Sequence, residues 1–220
     1  MITSICLFIA CLIWAYCLES IAHYFITSQL YTPLLNCSRV DVVLRILCAC
    51  TMYGACVTNV NQTPLLLVYL SALWVTIQTD LRHMLISRYV SLYLIPFGYA
   101  AAAGQFISIN IYDSIVTSGL CYLFLWGINA LFKKIKNHDG LGQGDIELLA
   151  FVGAWTGMIG AWFTVFVGSI VGSLASCLYM LCTGHTLRMI PFGPFLALGS
   201  MIFIFCQPHI IELLLTSMNV

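Results

Sequence analysis

Charge is what this sequence has least of. Only 7% of its 220 residues are Asp, Glu, Lys or Arg, against 61% hydrophobic residues. A soluble domain usually carries about 25% charged residues, so a sizeable soluble domain is excluded. Eight Lys and Arg balance eight Asp and Glu, and no net charge draws the chain to nucleic acid or to an acidic substrate. Paired cysteine motifs are missing as well. The 11 cysteines include no C-x-x-C. Most of them, such as Cys6, Cys11, Cys17, Cys177 and Cys182, sit in apolar runs, where cysteine behaves as a small hydrophobe. Cys48 and Cys50 form a C-x-C with no partner pair nearby. This pattern argues against a disulfide framework or a metal site, and neither a metal nor a cofactor is expected. H-E-x-x-H and G-x-S-x-G are also absent, which speaks against metalloprotease and serine-hydrolase chemistry. The first 20 residues lack a basic n-region and an A-x-A site, so they read as a retained first helix.

What is present is hydrophobicity in long runs. Eight apolar segments fall near 4–27, 43–60, 64–80, 89–109, 113–132, 145–161, 163–183 and 190–207. A membrane span needs about 20 residues, so the third, sixth and eighth are short. The expectation is an all-α, polytopic transmembrane helix bundle with about 7–8 spans. It forms one embedded domain over residues 1–220, with "PHIIELLLTSMNV" at the interface.

Charge placement orients this bundle. With the N-terminus outside, the inner loops are 28–42, 81–88, 133–144 and 184–189. Arg39, Arg82, Arg88, Lys133, Lys134, Lys136 and Arg188 fall in them, and Arg45 sits at the inner edge of the second span. The outer loops hold no Lys or Arg, as the positive-inside rule requires. Asp80, ending the third segment, and Asp145, opening the sixth, then share the cytoplasmic membrane face.

Carboxylates at membrane depth cost about 2.5–3.5 kcal/mol on insertion scales, and they persist where they pair, meet water or carry function. Two aspartates at one depth suggest a dyad. Close carboxylates cannot both ionise easily, so one keeps a proton and the pair titrates as a unit. One member activates water while the other protonates a carbonyl or a leaving amine. Asp145 follows Gly142 and Gly144 in "LGQGDIELLAFVGAWTG". Those glycines permit unusual torsions and close approach of a helix or an extended peptide. A helix N-terminus favours negative charge and a C-terminus disfavours it, so Asp145 is expected to be the more ionised partner. The plain structural alternative is a solvated helix-end Asp80 and an N-capping Asp145.

Three stretches carry a resemblance. "GQGD" with "IELLAFVGAWTG" after it, "DLRHMLISRYVSL" from Asp80, and "IPFGPFLALGS" from Ile190 stand in order over roughly residues 64–207. Together they resemble the prepilin peptidases, the type IV leader peptidase family of GxGD membrane aspartyl proteases. The resemblance implies cleavage of the short basic leader of a type IV prepilin or pseudopilin after a glycine, at the cytoplasmic face of the bacterial inner membrane. It implies Asp80 and Asp145 as the catalytic pair, with Gly142 and Gly144 as the motif glycines. Glu147 stands where the family commonly has Lys, and "ISR" replaces "IPN" after Asp80. Bifunctional relatives carry C-x-x-C pairs linked to N-methylation. The 28–42 loop has one cysteine, Cys37, so peptidase activity without methyltransferase activity is expected.

Two rival readings follow from the same residues. A presenilin-like intramembrane protease shares GxGD, but its Y-D motif is absent because Thr79 precedes Asp80. A small transporter or membrane assembly scaffold would also use intramembrane acids. Lys133, Lys134 and Lys136 set topology and can meet anionic membrane lipid, while Asp139 and Glu147 are candidates to meet the leader's charge. Homo-oligomerisation stays open. His83, His138 and His185 read as loop histidines. Gly168 and Gly172, flanked by Ser169 and Ser173, read as close helix packing. Glu19 and His23 share a helix face four residues apart.

Overall fold

The structure, a computed structural model, describes residues 2–30, 39–58, 63–84, 86, 88–184 and 191–218. Cys37, His185, Arg188 and Ile190 lie outside the described residues, as do most of the 28–42 and 184–189 loops. Among the described residues there are seven helices and no strand: α1 (Ile2–Leu30), α2 (Arg39–Thr58), α3 (Thr63–His83), α4 (Arg88–Ala103), α5 (Ile111–Lys136), α6 (Gln143–Thr183) and α7 (Gly193–Met218). The segments Ser4–Tyr24, Pro64–His83, Ile111–Lys136 and Gln143–Thr183 are long and apolar enough to cross a membrane, and Val90–Ala103 and Gly193–Gln207 are shorter apolar helices. The protein is an all-α, polytopic membrane protein, as its hydropathy predicts.

The chain divides into two compact units, Met1–Val90 and Ser91–Val220. In the first, α1, α2 and α3 pack on one another. The contact faces are lined by small residues, Ala15 and Ala22 on α1 and Ala49 and Ala55 on α2, all fully buried. Small side chains bring backbones close, which is how helices associate in lipid. Indole donors tie the three together: Trp14 Nε1 donates to Ser71 Oγ at 3.0 Å and Trp74 Nε1 to Thr51 Oγ1 at 2.8 Å.

The second unit is built around α6, which pairs with α5 and α7. α6 covers 41 residues but is broken at Gly157 (φ 69°, ψ −174°), a region open essentially to glycine alone. Before the break α6 runs antiparallel to α5: a Cβ on Gly153 would meet Cys121 Sγ at 3.1 Å, and Ser114 Oγ donates to the Ala154 carbonyl at 2.5 Å. A straight helix would carry Trp162 past the start of α5. Instead its ring meets that of Phe124 edge to face at 5.0 Å, so the chain doubles back at Gly157. Both halves line an apolar cleft of about 150 Å³, with Leu149 from the first and Met158 and Trp162 from the second. The expected sixth and seventh segments are therefore present, but their boundary is Gly157 rather than residues 161–163. One positive φ reverses the chain without any polar loop for hydropathy to detect.

The returning half packs on α7 through small residues four apart. A Cβ on Gly160 would reach Phe203 at 2.7 Å, one on Gly168 the Phe195 carbonyl oxygen at 3.0 Å, and one on Gly199 the Thr164 carbonyl oxygen at 2.8 Å. Gly168 and Gly172 do pack closely, as expected. Ser169 and Ser173 are exposed and fall off the contact line. On the other side, Gly98 of α4 leaves a slot for the Trp155 ring, whose Nε1 donates to the Leu94 carbonyl at 3.0 Å.

Candidate functional site

Asp80 lies in the last turn of α3 and is only 4% exposed, so it is not a solvated helix end. Met84 follows the helix in the left-handed conformation (φ 51°) and its backbone N–H donates to the Asp80 carbonyl at 2.8 Å. That is the αL type of helix stop, closed on the residue whose side chain is of interest. A buried polar row precedes it. Thr76 Oγ1 donates to the Ala72 carbonyl at 2.9 Å and Thr79 Oγ1 to the Thr76 carbonyl at 3.1 Å. Gln78 is 1% exposed, and its Oε1 has no hydrogen-bond partner among the described residues.

The far side of this turn faces a charge cluster that hydropathy hides. Arg82 Nη2 donates to Glu19 Oε1 at 3.2 Å and Asp41 Oδ1 at 2.7 Å, and its Nη1 to His23 Nε2 at 2.7 Å. Arg45 Nε donates to Glu19 Oε2. A guanidinium is donor-only, so the His23 Nε2 facing it is an acceptor. The i, i+4 spacing of Glu19 and His23 shows their common face, but their partners come from α2 and α3 and were not foreseen.

Asp145, Gly142 and Gly144 belong to the second unit. Gly142 is the N-cap of α6 (φ −67°, ψ 140°), Gly144 and Asp145 stand in the first turn, and Asp145 N–H donates to the Gly142 carbonyl at 3.2 Å. Asp145 is thus the third residue inside the helix, not its cap. Its side chain folds back over the cap, as the acid of a capping box does: a Cβ on Gly142 would lie 3.2 Å from Asp145 Oδ2. The torsions of Gly142 suit any residue, so glycine is required there for space and not for backbone freedom. Among the described residues Asp145 Oδ1 is sealed from solvent without a hydrogen bond to it, while the residue keeps other partners.

Side chains of α5 hold the loop that delivers this turn. Asn129 Oδ1 accepts from the backbone N–H of Gly140 at 2.9 Å and of Leu141 at 3.0 Å, and Lys133 Nζ pairs with Asp139 at 3.2 Å. Gln143, inside the G-x-G-D motif, donates through Nε2 to Tyr122 Oη and to Glu147 Oε1, both at 3.2 Å. Glu147 is 1% exposed and acts as an anchor for the motif. It does not offer its charge to solvent, whereas Asp139 stands exposed beside Lys133. Asn129, a lone amide in an apolar run, was the signal to read.

A family model described as the type IV leader peptidase family matches residues 67–177, just over half of the chain. The match includes both Asp80 and the motif ending at Asp145. The chain belongs to the type IV leader peptidase family. Three curated members, each named prepilin leader peptidase/N-methyltransferase, illustrate the likeness. That of Xanthomonas campestris pv. campestris is 29% identical over 60% of this chain and 46% of its own length. That of Dichelobacter nodosus is 37% identical over 54% and 41%, and that of Legionella pneumophila 31% identical over 67% and 52%. The chain spans about half or less of the length of these relatives. No solved structure matches it.

Proposed function

We propose that this chain is a prepilin leader peptidase, an aspartyl protease that hydrolyses the leader-peptide bond of a type IV prepilin or pseudopilin at the cytoplasmic face of the bacterial inner membrane. The observation that carries the reading is the family match across residues 67–177 together with a buried Asp80 at the end of α3 and Asp145 in the first turn of α6. In this reading the two units work as one embedded peptidase and the two carboxyl groups share one proton. The ionised one takes a proton from water, whose oxygen attacks the scissile carbonyl carbon. The protonated one gives its proton to the carbonyl oxygen. Collapse of the resulting diol returns that proton to the second carboxylate, and the amine leaves with the proton that the first had taken from water, which restores the starting pair. Asp145, at a helix N-terminus, is the better candidate for the ionised state. The chain has no C-x-x-C, which supports peptidase action without N-methylation.

The test is co-expression with candidate prepilins, reading the mature N-terminus by mass. A product that begins after the leader with an unmethylated terminus is expected. No cleavage of any type IV prepilin overturns the peptidase reading and favours a transporter or scaffold, and a methylated terminus made by this chain alone overturns its second half.

Gly142→Ala probes the motif's geometry. The added methyl would crowd Asp145 Oδ2 at 3.2 Å without straining the backbone. A displaced reacting group costs up to about 10²-fold in rate, and here the shift is a few tenths of an ångström. Cleavage slower by about tenfold, with an unchanged melting temperature, is the expected outcome.

A further inference from the structure

We infer that Arg82 is the positioning residue for Asp80, and that Glu19, Asp41 and His23 form the socket that holds it. This rests on the reading of Asp80 as a reacting group. Arg82 is two residues beyond Asp80, about 200° around a helix at 3.6 residues per turn. When the guanidinium is held in the α1–α2 face, Asp80 is turned to the opposite side of α3. The grip is multiple. Two acids and a ring nitrogen, from two helices, take hydrogen bonds of 2.7–3.2 Å from Arg82. Arg45 holds the second oxygen of Glu19, which keeps that acid from turning away.

The chemistry of the cluster suits orientation better than stability. Buried ion pairs lose so much solvation that apolar residues of similar volume often replace them without cost, while their hydrogen bonds admit few arrangements. The side chains of Arg82, Glu19 and Asp41 are 16%, 6% and 12% exposed, so water does not loosen them. The fork of Arg82 also fixes the turn in rotation and against fraying, which an apolar contact at a helix end cannot do. The αL stop at Met84 closes on the same turn.

The experiment compares Arg82→Gln, Arg82→Lys, the double variant Arg82→Gln with Asp41→Asn, and Asp80→Asn, each as the full chain in membranes with a cleavable prepilin. Arg82→Gln removes one of the cluster's two guanidinium groups against two acids and is expected to lose both yield and rate. The double variant restores the charge balance, with Glu19 against Arg45, and so recovers yield and melting temperature. Its kcat nevertheless stays about 10–100-fold below that of the unaltered chain, with KM within about twofold, the scale expected of a misplaced reacting group. Arg82→Lys keeps the charge without the fork and recovers only part of the rate. Wild-type kcat in the double variant would show that Arg82 merely balances charge, and a change confined to KM would show a substrate contact; either overturns the inference. Full cleavage by Asp80→Asn would remove the reading beneath it and the inference together, whereas loss in Asp80→Asn beside an unchanged kcat in the double variant removes the inference alone.

Discussion

Asp80→Asn and Asp145→Asn are each expected to lower prepilin cleavage by at least about 10³-fold, with the double variant no slower than either single one. General acid–base groups contribute roughly 10²–10⁴-fold, and residues that act as a unit are strongly non-additive. Asparagine keeps the size of aspartate, so the back-fold of residue 145 over Gly142 and the close burial of residue 80, 4% exposed, survive the change. What is lost is the titratable proton. The measurement is the first-order rate of leader removal, followed by the mass of precursor and product, with thermal melting to confirm folding. Residual cleavage within about tenfold for either variant would show that the residue is not half of a dyad. A rate that falls further in the double variant would show two independent contributions.

The second large effect concerns folding. Gly199→Val is expected to destabilise the second unit by about 3 kcal/mol or more, at the upper end of what overpacking usually costs. A Cβ at 199 would stand 2.8 Å from the Thr164 carbonyl oxygen and 3.3 Å from the Gly168 nitrogen. Both are backbone atoms of α6, and no side-chain rotation relieves the contact. The helices would have to separate, and the neighbouring contacts of Gly168 with Phe195 and of Gly160 with Phe203 would separate with them. Yield of monodisperse protein and melting temperature in detergent read this out. Gly119→Ala on α5 is the control: nothing lies within 4 Å of its added methyl, and replacing a helical glycine by alanine gains up to about 1 kcal/mol. Equal behaviour of the two variants would contradict the α6–α7 packing.

Hydropathy located most helices because lipid demands apolar residues in the middle of a span, and it missed their ends because caps are polar and local. The fifth segment, expected over 113–132, runs to Lys136 because Asn137 closes it in the left-handed conformation (φ 59°). The fourth, expected to reach 109, stops at Ala103, where Gly104 and Gln105 (φ 56°) turn the chain. The seventh helix continues to Met218, past the expected 207, since "IIELLL" keeps its helical run. The two aspartates were legible because acids are rare here and each marks a helix end. Asn129 shows in the sequence only as a lone amide in an apolar run, and the roles of Gln143 and Arg82 not at all, since partners on other helices define them and pair contacts leave no trace in a one-dimensional pattern. Glu147 illustrates the same limit. The sequence shows an acid where the family commonly has Lys, but not that it is enclosed and bound by Gln143.

Synthesis of the chain meets the Glu19 socket in the wrong order. The ribosome delivers Glu19 within the first hydrophobic helix, Arg45 follows 26 residues later, and Arg82 only 63 residues later. Until Arg45 is made the nascent chain carries a lone carboxyl group in an apolar helix, and the cluster is complete only with Arg82. α1 therefore gains its settled place only when the third helix emerges.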